Sequence, residues 1–517
     1  MLLNHQKKMK LWLVFSVFVS CLMVSNLNIK SIVSAQSNWS LPQRIPGYTI
    51  DVDNLPPDLI ADRNNTVHSF ASEWIEDGGR QLVIVYSSWT LDGGWTKPVD
   101  IIISPVKEAR ILGVALDDFG IFHLIFFGGE EPSGDLYYTQ APALQVSQSS
   151  SWSPPELIGK NAIIPNSGAI IADKQGNLYV LYAGNLINGR GIYFLKSQDK
   201  GNNWTEPYPI FLSTDPPFGT RFVAGESGFY HAVWYVVDDL GHNISAHYSR
   251  YDLKDDKWDK PIDLAEGYGI NEGMGISNIE VIEFKGQVFI MFNNGIPPSG
   301  VPPSQWFLVS RDGGQTWEEP YRPFPQHVGR NGSIAFVVDS DENLHVLFAD
   351  RIPIFSNGQY SSIGGVYHSV WLDAHWTYPD PVVDTSQGID IQNGVFGGYD
   401  VRAVIVQGNK LLCLWRNDPG LQQLGVWFSY KILNSPEYST ELLPTVDVNQ
   451  NARSTSVSET ENPTPTPVIE IEKTKNPQNI ATNAHNSNFS SGIIVGIIFT
   501  FLLILVVFIY RIRKIYR

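Results

Sequence analysis

The tetrad Trp-x-x-Pro recurs at Trp39, Trp95, Trp152, Trp204, Trp258, Trp317 and Trp376, at intervals of 52 to 59 residues. A near-constant period of this size marks a repeat architecture and constrains the fold before any single residue is interpreted. Between successive tetrads lie an apolar strand, a turn and a second strand carrying His or Tyr. The copies read Leu59-Ile-Ala-Asp62 with His68, Val114-Ala-Leu-Asp117 with His123, Ile170-Ile-Ala-Asp173 with Tyr179 and Phe222-Val-Ala224 with His231. Weaker or shifted copies follow at Val281-Ile-Glu283 with Phe289, Phe336-Val-Val-Asp339 with His345 and Val404-Ile-Val406 with Leu412. Four antiparallel strands per unit, arranged around an axis, make an all-β β-propeller. Seven blades are expected, with six plus an irregular flank as the alternative.

The last repeat ends at Ser435-Pro436 without its own Trp-x-x-Pro, whereas Trp39-Ser-Leu-Pro42 precedes the first complete unit. The N-terminal strand is therefore expected to complete the last blade, because closure leaves only short, protected edges. The recurring His residues come one per unit and read as packing groups hydrogen-bonded between neighbouring blades rather than as metal ligands. No metal and no cofactor is expected.

Charge bounds the partners. Only 17% of the 517 residues are charged and the formal net charge is −16, which argues against a nucleic-acid surface built from clustered Lys and Arg. The two cysteines are Cys21 and Cys413, and Cys21 lies in the N-terminal apolar run, so the body holds no disulfide of its own. A body this large is stabilised by core burial instead.

The ends read as membrane addresses. Lys7, Lys8 and Lys10 precede the apolar run Leu11 to Val24, so residues 1–35 read as a signal peptide with an uncertain cleavage point; Phe18-Val-Ser-Cys21 faintly matches a lipidation signal. Gly492 to Tyr510 is 19 residues without a charge, followed by Arg511, Arg513, Lys514 and Arg517. At ~1.5 Å per residue such a helix spans a ~30 Å hydrocarbon core, and the basic flank stays cytoplasmic. The expected order is a propeller over 36–438, a disordered Ser/Thr/Pro-rich stalk over 439–487, a transmembrane helix over 490–510 and a short basic tail over 511–517. Treated as a coil, the stalk reaches roughly 40 Å, placing a monomeric body outside the cell, clear of the bilayer. Asn64, Asn243 and Asn331 begin Asn-x-Ser/Thr sequons.

Two further segments carry a family signal. Ser197-Gln-Asp-Lys-Gly-Asn-Asn-Trp204 and Ser310-Arg-Asp-Gly-Gly-Gln-Thr-Trp317 both read S-x-D-x-G-x-x-W. They resemble the Asp-boxes, or bacterial neuraminidase repeats, of the sialidase-like superfamily. Thr90-Leu-Asp-Gly-Gly-Trp95 is a shortened version and Asp255-Asp-Lys-Trp258 a decayed one. The motif is structural. Its carboxylate (Asp199, Asp312) accepts backbone N–H groups in the turn, its glycine (Gly201, Gly314) permits positive φ, and its Trp (Trp204, Trp317) packs into the blade.

The resemblance covers roughly residues 39 to 438 and implies, for an enzyme, a three-Arg cluster, a Tyr–Glu nucleophile pair and an Asp acid. Arg221, Arg351 and Arg416 fill the carboxylate clamp, Tyr399 the nucleophile and Asp77 the acid. Phe70-Ala-Ser-Glu-Trp74 departs from the pattern with Trp74 where an Arg is expected, and seven repeats depart from the six blades of those enzymes.

The connections between the second and third strands share one face with those leading into each unit, and binding residues concentrate on such loops. Candidates there are Glu73, Glu130, Arg221, Asp350, Arg351, Arg402, Arg416 and Asp418, with Arg110 nearby. Arginines suit an acidic sugar through bidentate hydrogen bonds. Long loops are expected at Pro297 to Pro303 and Ile352 to Ser361. The preferred reading is a membrane-anchored extracellular propeller that binds a glycan or protein without turnover. The alternatives are an exo-sialidase-type hydrolase and an envelope scaffold.

Overall fold

The computed structural model describes residues 38–48, 56–75, 81–130, 133–163, 167–239, 243–264, 276–294, 304–329, 332–356, 359–384, 398–417 and 425–444. The signal segment, the apolar run 490–510, the basic tail, most of the stalk, the 297–303 loop, Asp77 and Asp418 lie outside the described residues. Among the described residues no helix is long and apolar enough to cross a membrane.

The fold is all-β and propeller-like. The described strands form six hydrogen-bonded sheets rather than seven separate ones. One of them has eight strands. It arises where Ala162, closing the strand Glu156–Ala162, pairs with both Gly134 and Gly184 and so joins two neighbouring repeats. The innermost strands are Asp58–Ala61, Glu108–Leu116, Gly168–Ala172, Pro217–Ala224, Ile276–Phe284, Ala335–Val338 and Gly398–Val406. Each packs against the next, and Gly398–Val406 packs against Asp58–Ala61, so they encircle an axis.

Second strands are covered on both faces by neighbouring sheets, which explains near-continuous apolar runs such as Phe122-His-Leu-Ile-Phe-Phe127. Phe70 of the first repeat meets Phe122 of the second at 5.1 Å between ring centroids.

The N-terminal segment closes the circle as its sequence implies. Gln43 and Arg44 pair with Phe428 and Trp427 on the last strand, Val426–Ile432, and Trp39 bridges to Lys431. The same segment then turns into the first repeat. Ile45 and Tyr48 are fully buried there, and the Tyr48 hydroxyl lies 2.9 Å from Ser69 Oγ and 3.1 Å from Ser87 Oγ.

The C-terminal end of the described chain is a strap rather than the start of a free stalk. Tyr438 N donates to Gln407 O (2.8 Å), Glu441 N donates to Arg63 O (2.9 Å) and Arg63 pairs with Glu441 at 3.2 Å. Leu443 packs on the core of the first two repeats. Residues 438–444 thus lie against the body.

The recurring histidines are packing groups, but their bonds run mainly within a repeat. His68 Nε2 lies 3.1 Å from Asp62 in the turn before it and Nδ1 lies 2.9 Å from the Tyr86 hydroxyl. His123 repeats this with Asp117 and Tyr138. Only His231, among these three, hydrogen-bonds to the neighbouring repeat, at Glu283 (2.9 Å), while its Nδ1 meets Tyr248 at 2.8 Å. The tyrosines carry the coupling onward: Trp204 packs edge-on against Tyr138 (5.0 Å) and Trp317 against Tyr248 (4.9 Å), each from the next repeat.

The variant His345–His368 pair has a consequence for pH. Nδ1 of His345 lies 2.9 Å from Nε2 of His368, and burial holds both rings below the ordinary 6.5, His368 well below it. A folded-state pKa below the unfolded value means the unfolded chain binds more protons, so stability is full above about 6.5 and declines as pH falls below it. Urea midpoints taken from pH 7.5 to 5.5 are expected to drop, with a total loss of about 1 kcal/mol or more, because a tenfold difference in proton affinity between the folded and unfolded chain is worth ~1.4 kcal/mol. A flat profile would contradict the neutral buried pair.

Candidate functional site

Strand register brings one residue from each innermost strand to a common level. Asp58 pairs with Phe70, Gly113 with Ile125, Ala169 with Leu181, Arg221 with Val233, Glu280 with Met291, Ala335 with Leu347 and Arg402 with Leu414. Each partner stands two residues after the repeat's His or Tyr position, at His68, His123, Tyr179, His231, Phe289, His345 and Leu412. All seven members line one axial cavity of about 270 Å³.

Around the axis the level therefore reads Asp, Gly, Ala, Arg, Glu, Ala, Arg. The charges fall in two adjacent pairs. Arg221 Nε donates to Glu280 Oε2 at 3.1 Å, and Arg402 Nε lies 3.8 Å from Asp58 Oδ1. The stretch between Asp58 and Arg221 holds only Gly113 and Ala169, leaving that side without bulk. A second cavity of about 540 Å³ lies further along the same strands, sharing the apolar waist Ile60, Val114, Ile170 and Phe222, and the strap residues 441–444 line its far end.

The backbone is bent to aim three of the four charged groups. The register shifts between Phe218 and Arg221, between Ser277 and Glu280, and between Tyr399 and Arg402. In each case the residue two positions before the charged one has positive φ: Gly219 at 59°, Asn278 at 51° and Asp400 at 53°. Bulges of this kind re-aim side chains and recur near functional sites. Gly219 has a second reason to lack a side chain, since a Cβ there would stand 2.3 Å from the Tyr235 ring. Tyr235 stacks on Phe218 (6.2 Å, 14° between planes), a half-buried aromatic pair beside Arg221.

Electrostatics follow the pairing. Burial works against the charge on Arg221, but Glu280 and Asp58 outweigh it and its pKa is raised. Burial pushes the Glu280 carboxyl up, with Arg221 and Arg402 pulling the other way. Burial and the nearby Arg221 lower the pKa of Arg402, whose Nη1 donates to Ser333 Oγ at 2.5 Å. These side chains are half-buried, so removing one partner leaves an uncompensated charge facing the cavity rather than one sealed in the core.

The candidates named from sequence distribute unevenly. Arg221 and Arg402 reach the cavity. Arg416 does not line it: its Nε lies 2.6 Å from Asp400 Oδ2, beside the bulge. Of the expected clamp, Arg221 lines the cavity wall, and Arg402 lines it as well, each beside a carboxylate. Glu73 is buried in the strand Val67–Ile75. Glu130 is exposed and pairs with the equally exposed Lys107. Asp350 Oδ2 lies 2.8 Å from His327 Nδ1, and Oδ1 accepts Gly365 N–H at 3.2 Å.

Arg351 and Tyr399 are placed by backbone alone, opposite Gly364 and Arg416. The expected long loop at 352–361 is instead the end of a hairpin, Leu344–Ser356 with Gln359–Leu372, paired out to Ser356 and Gln359. Arg110 pairs with Glu108 at 3.1 Å. Among the described residues no group of three His, Cys, Asp or Glu is disposed to hold a metal ion.

Asp58 and Glu280 were missed by sequence reasoning. For Glu280 the available signal was a charged residue two positions beyond Asn278, at the level where Arg221 follows Gly219 and Arg402 follows Asp400; Asp58 carries no such mark.

No known family profile matches the chain, and no curated protein matches it. Solved structures with a similar course include an ulvan lyase of polysaccharide lyase family 25 bound to a GlcA–Rha3S unit, 15% identical, with TM-score 0.46 over 76% of this chain and 96% of that one. The phage phi92 endosialidase is 9% identical, with TM-score 0.45 over 78% and 70%. The NanB sialidase of Streptococcus pneumoniae is 12% identical, with TM-score 0.40 over 76% and 71%. Identities and TM-scores this low assign no activity to this chain.

Proposed function

We propose that this protein is a glycan-binding propeller of the sialidase-like superfamily, held at the outer cell surface by its C-terminal apolar segment and binding without turnover. The eight-stranded sheet counts, in this reading, as two blades fused through Ala162, which keeps the seven-fold period of Trp-x-x-Pro. The observation that carries the reading is the axial cavity, with four charged side chains at one level and three of them set on bulges. A concave site with a few convergent polar groups between apolar walls is the usual form of a small-ligand site. The Phe218–Tyr235 pair beside it supplies an apolar body with a polar tip, as suits a sugar ring.

The test is retention on an immobilised glycan array, using the full-length protein and its Arg402→Ala variant. At least one glycan class is expected to retain the wild type, with affinity at least about tenfold lower in the variant, the scale of a lost charged hydrogen bond, and with no product released from the bound glycan. Absence of any glycan binding, or binding indifferent to Arg402, would contradict the reading.

A further inference from the structure

We infer that the axial cavity selects an uncharged, polyhydroxylated sugar residue over an acidic one. The inference rests on the glycan-binding reading of this cavity and narrows it to a ligand class. Two arginines alone would favour a carboxylate or sulfate, and sequence reasoning pointed that way. The structure sets each arginine beside its own carboxylate: Arg221 with Glu280 at 3.1 Å and Arg402 with Asp58 at 3.8 Å. The cavity level carries two positive and two negative groups, so its formal charge is zero.

The chemistry of recognition follows from donors and acceptors. Guanidinium N–H groups only donate, and ionised carboxylates only accept. A sugar hydroxyl does both. Adjacent hydroxyls on one ring accept from an arginine and donate to the carboxylate beside it, without parting the pair. The carboxylate of an acidic sugar presents acceptors alone, and beside Arg221 it meets the like charge of Glu280, which already takes the Arg221 Nε–H. The side of the level formed by Gly113 and Ala169 has room for the ring itself, and Ile60, Val114 and Ile170 give it an apolar floor. Three charged groups stand on bulges with positive φ at Gly219, Asn278 and Asp400. Two of those three positions hold residues other than glycine, which adopt this conformation uncommonly.

Glu280 is therefore a specificity-determining residue, and its neutral isostere reverses the preference. Titration calorimetry on the full-length protein would use matched oligosaccharides, galactose- or rhamnose-based for the neutral series and galacturonate-, glucuronate- or sialate-bearing for the acidic series. In the wild type the best neutral ligand is expected to bind at least about tenfold tighter than its acidic counterpart. Glu280→Gln frees Arg221 and is expected to raise affinity for the acidic series about tenfold while weakening the neutral series, the scale of one charge-assisted contact. Acidic oligosaccharides binding the wild type more tightly than neutral ones would overturn the inference and leave glycan binding standing. Binding of neither series would overturn the glycan reading itself, and this inference with it. Should Glu280→Gln fail to fold, Asp58→Asn makes the same test at Arg402, since Asp58 is the more exposed partner; unchanged preference in a folded variant of either pair counts against the proposal.

Discussion

Replacing Gly314 with alanine is expected to lower folding stability by about 3 kcal/mol or more, read as a shift in the urea midpoint. Gly314 has φ of 90°, and a Cβ built there would stand 1.8 Å from the Tyr248 hydroxyl oxygen. Tyr248 cannot retreat freely, because His231 Nδ1 holds it at 2.8 Å and the Trp317 edge packs on its ring. Overpacking of this kind costs about 1–3 kcal/mol, and alanine at positive φ adds to it. The neighbouring Gly313 is the control. Its φ is 69°, yet the nearest atom to a Cβ there is the flexible Arg250 Nη1 at 3.8 Å, so only the backbone cost of about 1 kcal/mol applies. Equal losses at the two glycines would show that contact with the preceding repeat is not what the second glycine of the motif serves.

Deletion of residues 38–48 is expected to abolish cooperative folding. That segment supplies the edge pairing of Gln43 and Arg44 and buries Trp39, Ile45 and Tyr48 between the last and first repeats. Burial of a large apolar side chain contributes about 1.5–3 kcal/mol, and an aromatic lies at the upper end. Three such losses, an opened sheet edge and the unpaired Ser69 and Ser87 hydroxyls together approach the whole ~5–15 kcal/mol by which domains are stable. Loss of near-ultraviolet circular dichroism and of a sharp thermal transition would report it. A deletion variant that melted like the parent would mean the circle closes by other contacts.

The parts of this fold that were legible in the sequence are those set by local rules. Trp-x-x-Pro spacing gave the repeat, and Asp62-to-His68 and its copies gave the first and second strands of each unit. The lone Trp39 tetrad before the first unit identified the closing strand. In both S-x-D-x-G-x-x-W segments the turn chemistry is as read: Ser310 Oγ accepts Gly314 N–H (2.8 Å), and Asp312 accepts the backbone N–H of Thr316 (2.8 Å). Those bonds, led by the Thr316 hydroxyl, hold the Asp312 carboxyl well below its ordinary range.

The candidate site was legible only in part, because it is a property of register. Arg221 and Arg402 could be picked out as arginines near strand starts, but their counter-charges could not. Asp58 and Glu280 are ordinary acidic residues until strand pairing puts them at the same level and a bulge turns the latter inward. Arg416 shows the converse failure. Its position at a strand end was read correctly, yet Asp400, brought beside it by a positive-φ kink, engages it away from the cavity wall. The single pairing of Ala162 with Gly184, which fuses two repeats into one sheet, likewise has no signature in the repeat itself.

The most direct test of the central claim is a crystal structure of the protein soaked with the oligosaccharide that binds it most tightly. The expected result is a sugar residue in the axial cavity against Gly113 and Ala169, with its hydroxyls bridging Arg221 to Glu280 or Arg402 to Asp58 and both ion pairs intact. Sugar density confined to the outer strands or to the strap-covered end, with the axial cavity empty, would contradict it.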